Sequence, residues 1–131
     1  MIGYVVQADG SCRGNPGPAG IGVAVIDARG GVVLEVSRAI GTSTNNQAEY
    51  CALIVALLEA SRLEPPVVVQ VDSELVCRQL EGRYRVRDSK LKPLHARARA
   101  LLDSAPGVTL KHVSRKHNSV ADRLAQAASN A

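Results

Sequence analysis

Short apolar runs alternate with turn-forming residues in the first third of the chain, a pattern typical of β-strands. The runs "IGVAVID" and "VVLEVSRAI" flank "ARGG", which predicts a hairpin turn at Ala28–Gly31. Residues Ile2–Ala8 predict the first strand, and the Gly- and Pro-rich stretch Gly10–Gly20 predicts a loop. Three strands joined in this way predict an antiparallel meander.

The rest of the chain predicts helices that alternate with two more strands. Thr44–Ala60 is almost wholly apolar after Gln47 and lacks Gly and Pro, so it predicts a buried helix with Thr44 or Asn45 as N-cap. Val67–Val71 is a continuous run rich in β-branched residues, which favours a buried parallel strand. The remaining predicted elements are helices at Ser73–Leu80 and Leu91–Ser104, a strand at Val108–Val113 and a helix over residues 118–129.

This order of elements predicts an α/β fold with one mixed five-stranded sheet. The meander followed by β-α-β crossovers gives the strand order 3-2-1-4-5, with helices on both faces. We expect residues 1–131 to form a single domain, because 131 residues is an ordinary domain length. Functional sites in such sheets gather at the carboxyl ends of the strands.

Composition narrows the functional class without identifying it. The chain has no Phe or Trp, so its core must be built from Val, Leu, Ile and Ala. No apolar run is long enough for a membrane span, and the N-terminus does not have the pattern of a secretion signal. The odd set Cys12, Cys51 and Cys77 has no metal-binding spacing, which favours a reduced, cytoplasmic protein. A net charge of +4 is compatible with a polyanionic partner.

Four acidic residues lie where the predicted strands end or the predicted helices begin. Asp9 ends the first strand, Asp72 ends the fourth, and Glu49 and Asp122 lie in the first turns of helices. Each has a local explanation: an Asp-Gly turn at Asp9, an N-cap at Asp72, a helix-dipole interaction at Glu49, and a capping box from Ser119 to Asp122.

Taken together, the four carboxylates predict a metal site. Carboxylates that converge without an intervening Lys or Arg repel one another, and divalent cations relieve that repulsion. Oxygen ligands suit Mg²⁺ or Mn²⁺, and a pair of such ions is the usual device for in-line phosphodiester displacement. The pattern therefore predicts that Glu49 faces metal rather than the apolar core.

The motifs around these acids resemble the ribonuclease H type 1 family. "DGSCRGNPGPAGIGVAV", "TSTNNQAEYCALIVAL", "VDSELV" and "NSVADRLA" occur in the family's order across essentially the whole chain. The resemblance implies an endonuclease that cuts the RNA strand of RNA–DNA hybrids with two Mg²⁺ or Mn²⁺ ions, leaving 5′-phosphate and 3′-hydroxyl ends. It also implies that Asp9, Glu49, Asp72 and Asp122 are the catalytic metal ligands.

The same resemblance implies substrate contacts. Cys12 and Asn15 are expected near the RNA minor groove, Thr44 near a DNA phosphate, and Asn45 and Asn46 near base edges and backbone. Helix capping is a second explanation for the two Asn residues. The acid Glu74 departs from the family pattern, in which Gln often follows "DS".

Two further departures concern basic residues. The link from Leu80 to Leu91 has no room for the helix and basic loop that longer relatives insert, so the chain resembles the compact form, which also lacks a hybrid-binding domain. Alternating Arg83, Arg85 and Arg87 predict either a stripe that binds nucleic acid backbone or a solvated basic face. His117 is expected to be the family's catalytic-loop His, with Arg115 as the alternative cation.

Other functions stay open at this point. Double-stranded RNA or RNA–DNA junctions are possible additional substrates, and a related-fold nuclease, a strand transferase or a non-catalytic binding module are alternatives. No obligate protein partner and no membrane association are evident, so we expect a monomer.

Overall fold

A computed structural model describes residues 3–131 of the chain. Its strands are β1 (Tyr4–Cys12), β2 (Gly17–Ile26), β3 (Val32–Ser43), β4 (Val67–Val71) and β5 (Val108–His112). Its helices are α1 (Asn45–Ala60), α2 (Glu74–Leu80), α3 (Lys92–Asp103) and α4 (Ser119–Ser129), and a 3₁₀ turn at Arg115–Asn118 precedes α4. None of the helices in residues 3–131 is long and apolar enough to cross a membrane.

The five strands form one sheet in the order β3-β2-β1-β4-β5, which confirms the predicted topology. β1 pairs antiparallel with β2 and parallel with β4, and β5 extends the parallel part of the sheet. The last pair between β1 and β4 is Gln7 with Gln70, so Asp9 and Asp72 each follow this pair by two residues. The strand order therefore places the backbone of Asp9 beside that of Asp72, as the predicted site requires.

Helices α1 and α4 cover opposite faces of the sheet. Val6 and Ala8 of β1 pack with α1 in a core without Phe or Trp, as the composition predicts. On the other face, α4 lies so close to β2 that a Cβ on Gly22 would come within 2.2 Å of the Ala121 carbonyl oxygen. Only glycine permits this approach, so Gly22 sets how near α4, which carries Asp122, lies to the sheet.

The main error in the predicted elements concerns the first strand and the loop after it. β1 continues through Asp9 and Gly10 to Cys12, and β2 already begins at Gly17, so most of the predicted loop Gly10–Gly20 is strand. Ile2, which we predicted to be in the first strand, lies outside the described residues. The Asp-Gly turn is therefore wrong: backbone pairing with β2 outweighs the local turn preference of this dipeptide.

Other boundaries differ by a few residues. β3 extends three residues beyond the predicted Ile40, and α2 and α3 each begin one residue later than predicted.

Thr44 caps α1 with a complete capping box, as one of the two predicted alternatives. Ser73, not Asp72, caps α2, so the N-cap explanation of Asp72 is wrong. The segment between Leu80 and Lys92 contains no inserted helix.

Candidate active site

Glu49 points out of α1 towards the backbone of β1. Its Oε1 atom accepts a hydrogen bond of 2.5 Å from the Gly10 N–H. A Cβ on Gly10 would lie 2.5 Å from the Glu49 nitrogen, so glycine at this position is what allows α1 to pack so closely on β1. Glu49, only 8% exposed, thereby reaches the site from the helix while Asp9 reaches it from the strand.

Three of the four predicted acids bring their carboxylates together. Asp9, Glu49 and Asp72 each offer an oxygen atom, and these atoms all lie within 4.8 Å of one another. They line a cavity of about 380 Å³ together with Asp122 and Arg115. This is the convergence that the sequence predicts for a divalent cation site.

The pKa values of the clustered carboxylates show the unfavourable charge that a bound cation would offset. Burial, reinforced by the neighbouring Glu49 carboxylate, raises the pKa of Asp9 far above its ordinary value. Burial also raises the pKa of Glu49, although hydrogen bonds from Asp9 and the Gly10 N–H oppose the increase. The pKa of Asp72 is raised by burial too, with Asp122 contributing. Without a counter-ion the cluster therefore favours keeping a proton, which is the property expected of carboxylates arranged around a metal.

Asp122 lines the same cavity but has a cationic neighbour. The Arg115 Nη2 atom lies 3.3 Å from the Asp122 Oδ1 atom, and the Arg115 side chain is 70% exposed. The nearby Asp122 carboxylate raises the pKa of Arg115. The helix begins at Ser119 with Asn118 as its N-cap, so the capping box that we considered from Ser119 to Asp122 does not form.

The residues predicted to contact substrate surround one side of the cavity. Cys12 and Asn45 line it. Asn15 lies in the turn between β1 and β2, and its Oδ1 atom accepts a 2.9 Å hydrogen bond from the Asn45 N–H. Thr44 caps α1 next to Asn45 and Asn46. The first loop and the start of α1 are thus joined beside the carboxylates. Because Thr44 is the N-cap and Asn45 and Asn46 are the first two residues of α1, the capping explanation of the two Asn residues is wrong.

The predicted basic residues divide into two groups. Arg115 lines the cavity, whereas His117 is exposed, is not among the cavity-lining residues, and pairs its Nδ1 atom with Ser114 Oγ at 2.7 Å. Arg83, Arg85 and Arg87 are exposed on the segment after α2. Within that segment the Tyr84 hydroxyl donates to Glu74 at 3.0 Å, which gives the unusual acid a neutral partner.

Sequence reasoning missed two buried polar residues beside the site. Gln7 on β1 is 8% exposed, and Asn118 before α4 is fully buried. Asn118 Nδ2 donates to the Ala8 carbonyl oxygen at 2.8 Å, while its Oδ1 atom has no hydrogen-bond partner among the described residues. The available signal was a Gln inside an apolar strand two residues before Asp9.

Comparison with known proteins places these features in one family. The family model described as "Reverse transcriptase-like" matches residues 7–128. "Bifunctional protein Rv2228c" of Mycobacterium tuberculosis is 43% identical over 129 residues, which are 97% of this chain and 35% of that protein. The chain thus spans about a third of the length of this relative.

Two solved structures resemble this chain over nearly its full length. RNase H1 from the halophilic archaeon Halobacterium salinarum has a TM-score of 0.90 and 40% identity, covering 98% of each chain. LC11-RNase H1, isolated from compost by a metagenomic approach, was crystallised in complex with an RNA/DNA hybrid. That structure has a TM-score of 0.88 and 38% identity, covering 97% of this chain and 96% of its own.

Proposed function

Because this chain belongs to the ribonuclease H type 1 family, we propose that it hydrolyses the RNA strand of RNA–DNA hybrids. The observation that carries the proposal is the group of carboxylate oxygens from Asp9, Glu49 and Asp72, mutually within 4.8 Å in an open cavity. A relative that is 38% identical was crystallised with an RNA/DNA hybrid, which supports this substrate.

The donor set fits hard divalent cations. All the acidic ligands offer oxygen, the preferred donor of Mg²⁺ and Mn²⁺. Asp9 and Glu49 are nearly fully buried, and burial raises their pKa values, which a cation would lower. Asp9, Glu49, Asp72 and Asp122 would hold the cations. Two bound ions would supply an activated water and neutralise charge on the scissile phosphate, giving 5′-phosphate and 3′-hydroxyl products.

We propose that the polar residues beside the cavity recognise the hybrid. RNA presents its 2′-hydroxyl groups in a wide, shallow minor groove, and short amide side chains can both donate and accept there. Asn15, Asn45 and Asn46 are such side chains, and Thr44 and Cys12 lie next to them. The Asn15–Asn45 hydrogen bond holds the loop and the helix start as one surface.

We further propose that Arg83, Arg85 and Arg87 bind the phosphate backbone. Their exposure and the absence of an inserted basic element in this link support a role in substrate affinity. A cytoplasmic, monomeric enzyme is also our proposal; its three cysteines are free, as expected in a reducing compartment.

A gel assay tests the function directly. Labelled RNA–DNA hybrid, double-stranded RNA, an RNA–DNA junction and DNA duplex are each incubated with Mg²⁺, Mn²⁺ or chelator. We expect cleavage of the RNA strand of the hybrid only with metal, and the RNA and junction lanes measure how broad the substrate range is. Cleavage of the DNA duplex alone would favour a related-fold nuclease.

The Asp72→Asn variant supplies the matched control. We expect it to fold, as measured by circular dichroism, and to lose hybrid cleavage because one charged metal ligand is gone. Full activity in this variant would contradict the proposed site even if the wild-type protein cuts hybrids.

A further inference from the structure

Gln7 makes three hydrogen bonds to the segment that carries Asp122. Its Oε1 atom accepts from the Val120 and Ala121 N–H groups at 3.1 and 3.2 Å. Its Nε2 atom donates to the His117 carbonyl oxygen at 3.2 Å. The whole side-chain amide is thus committed to backbone groups more than 100 residues away in the sequence.

Gln7 supplies the capping hydrogen bonds that the N-cap residue of α4 does not make. The N-cap residue Asn118 has no side-chain capping hydrogen bond: its Nδ2 group donates to the Ala8 carbonyl oxygen on β1, and its Oδ1 atom accepts no hydrogen bond from the described residues. The free N–H groups in the first turn of a helix need acceptors, and here a strand residue provides one. Gln7 and Asn118 therefore fasten β1 and the start of α4 to each other from both sides.

We propose that Gln7 is a positioning residue that sets the place of Asp122 relative to Asp9 for cation binding. Gln7 lies two residues before Asp9, and the N–H groups that it binds belong to the two residues immediately before Asp122. The inference rests on the proposed function, since it concerns the same metal site.

The same side chain also holds the turn that carries Arg115. The His117 carbonyl oxygen belongs to the 3₁₀ turn Arg115–Asn118, so Gln7 fixes the turn and the helix start together. Loss of Gln7 would let Asp122 and its Arg115 partner move away from the other carboxylates. Cation affinity depends on such supporting contacts as well as on the ligands themselves.

The test compares Gln7→Met with Ser37→Ala. Methionine has a similar length but cannot make the three hydrogen bonds. Ser37 Oγ donates to the Leu124 carbonyl oxygen at 2.7 Å, so its loss removes a contact between the sheet and α4 that does not involve the N–H groups before Asp122. Mn²⁺ binding is followed through the electron paramagnetic resonance signal of the free ion, and hybrid cleavage gives kcat and KM.

We expect Gln7→Met to weaken Mn²⁺ binding by about tenfold or more and to lower kcat, with KM for the hybrid unchanged. Ser37→Ala should bind Mn²⁺ like the wild type. If Gln7→Met does not fold, Gln7→Asn keeps the amide but is one methylene too short, and the same loss of Mn²⁺ binding is expected.

Mn²⁺ affinity in the folded Gln7 variant equal to that of Ser37→Ala would overturn the inference. A wild-type protein that binds Mn²⁺ but does not cut the hybrid would overturn the proposed function alone, because the Mn²⁺ comparison still decides the role of Gln7. A wild-type protein that does not bind Mn²⁺ would overturn both.

Discussion

Ionisation of Asp9 destabilises the folded protein when no cation is bound. It is 6% exposed, and its pKa is raised first by burial and then by Glu49. Between the ordinary pKa of 3.8 and the raised value, the folded protein keeps a proton that the unfolded chain has lost. Stability without metal should therefore fall as the pH rises through this window.

The Asp9→Asn variant removes the part of this pH dependence that comes from Asp9. In chelator at pH 8 we expect it to be more stable than the wild type by roughly 1–3 kcal/mol, with the difference shrinking towards pH 4. Chemical denaturation at several pH values measures it. A stability difference that is the same at pH 4 and pH 8 would show that the ionisation of Asp9 is not the cause.

Arg115 and His117 can be separated by single substitutions. Since Arg115 lines the cavity and His117 bonds Ser114 outside it, we propose Arg115 as the assisting cation. Arg115→Ala should lower kcat by about tenfold or more, and Arg115→Lys should recover part of it because the charge remains. His117→Ala should keep its turnover from pH 6 to 9; a turnover that is lost in His117→Ala and kept in Arg115→Ala would reverse the assignment.

At the scale of elements, the sequence predicts the order of strands and helices well because each has a distinct apolar pattern. Val67–Val71 agrees with the prediction at both ends, since a proline pair and a helix cap bound it. β1 does not, because its extension to Cys12 depends on pairing with β2, and local residue preferences do not report on such a partner.

The carboxylates of the site could be predicted from the sequence, whereas the hydrogen bonds that hold them in place could not. The strand order brings Asp9 and Asp72 together, and Glu49 joins them because the helix that follows the meander packs on β1. Gln7 and Asn118 act through single side-chain contacts between distant segments, and no local pattern predicts which backbone groups those amides will meet.

The segment between α2 and α3 is an element whose role a salt titration can determine. Replacing Arg83, Arg85 and Arg87 together with Ala should weaken hybrid binding and reduce the slope of log affinity against log salt by up to roughly 0.7–0.9 per lost phosphate contact. The matched control is the triple Lys variant, which keeps the charges. An unchanged slope in the Ala variant would assign these residues to a solvated basic face.

At the scale of the whole molecule, charge is divided unevenly between the site and the rest of the surface. The chain has 12 acidic and 16 basic residues, and four of the acids belong to the cavity. Arg115 also lines the cavity, so outside the site 15 basic and 8 acidic residues leave an excess of seven positive charges, against a net charge of four for the whole chain. On the proposed function, this surface would attract a polyanion, and cations held by the carboxylates would offset the acids that repel it.

The sheet also leaves a long edge strand, β3, at one side of the molecule. Val32, Val33 and Leu34 at its start are 45%, 56% and 39% exposed, and an apolar edge strand is a template for pairing between molecules. Val33→Lys should slow aggregation on heating, measured by light scattering, with cleavage unchanged because the position is remote from the carboxylates in the sheet order. Ala127→Lys, on an exposed position of α4, adds the same charge elsewhere. If both variants slow aggregation equally, net charge rather than the edge strand controls self-association, and the exposed valines carry no special risk.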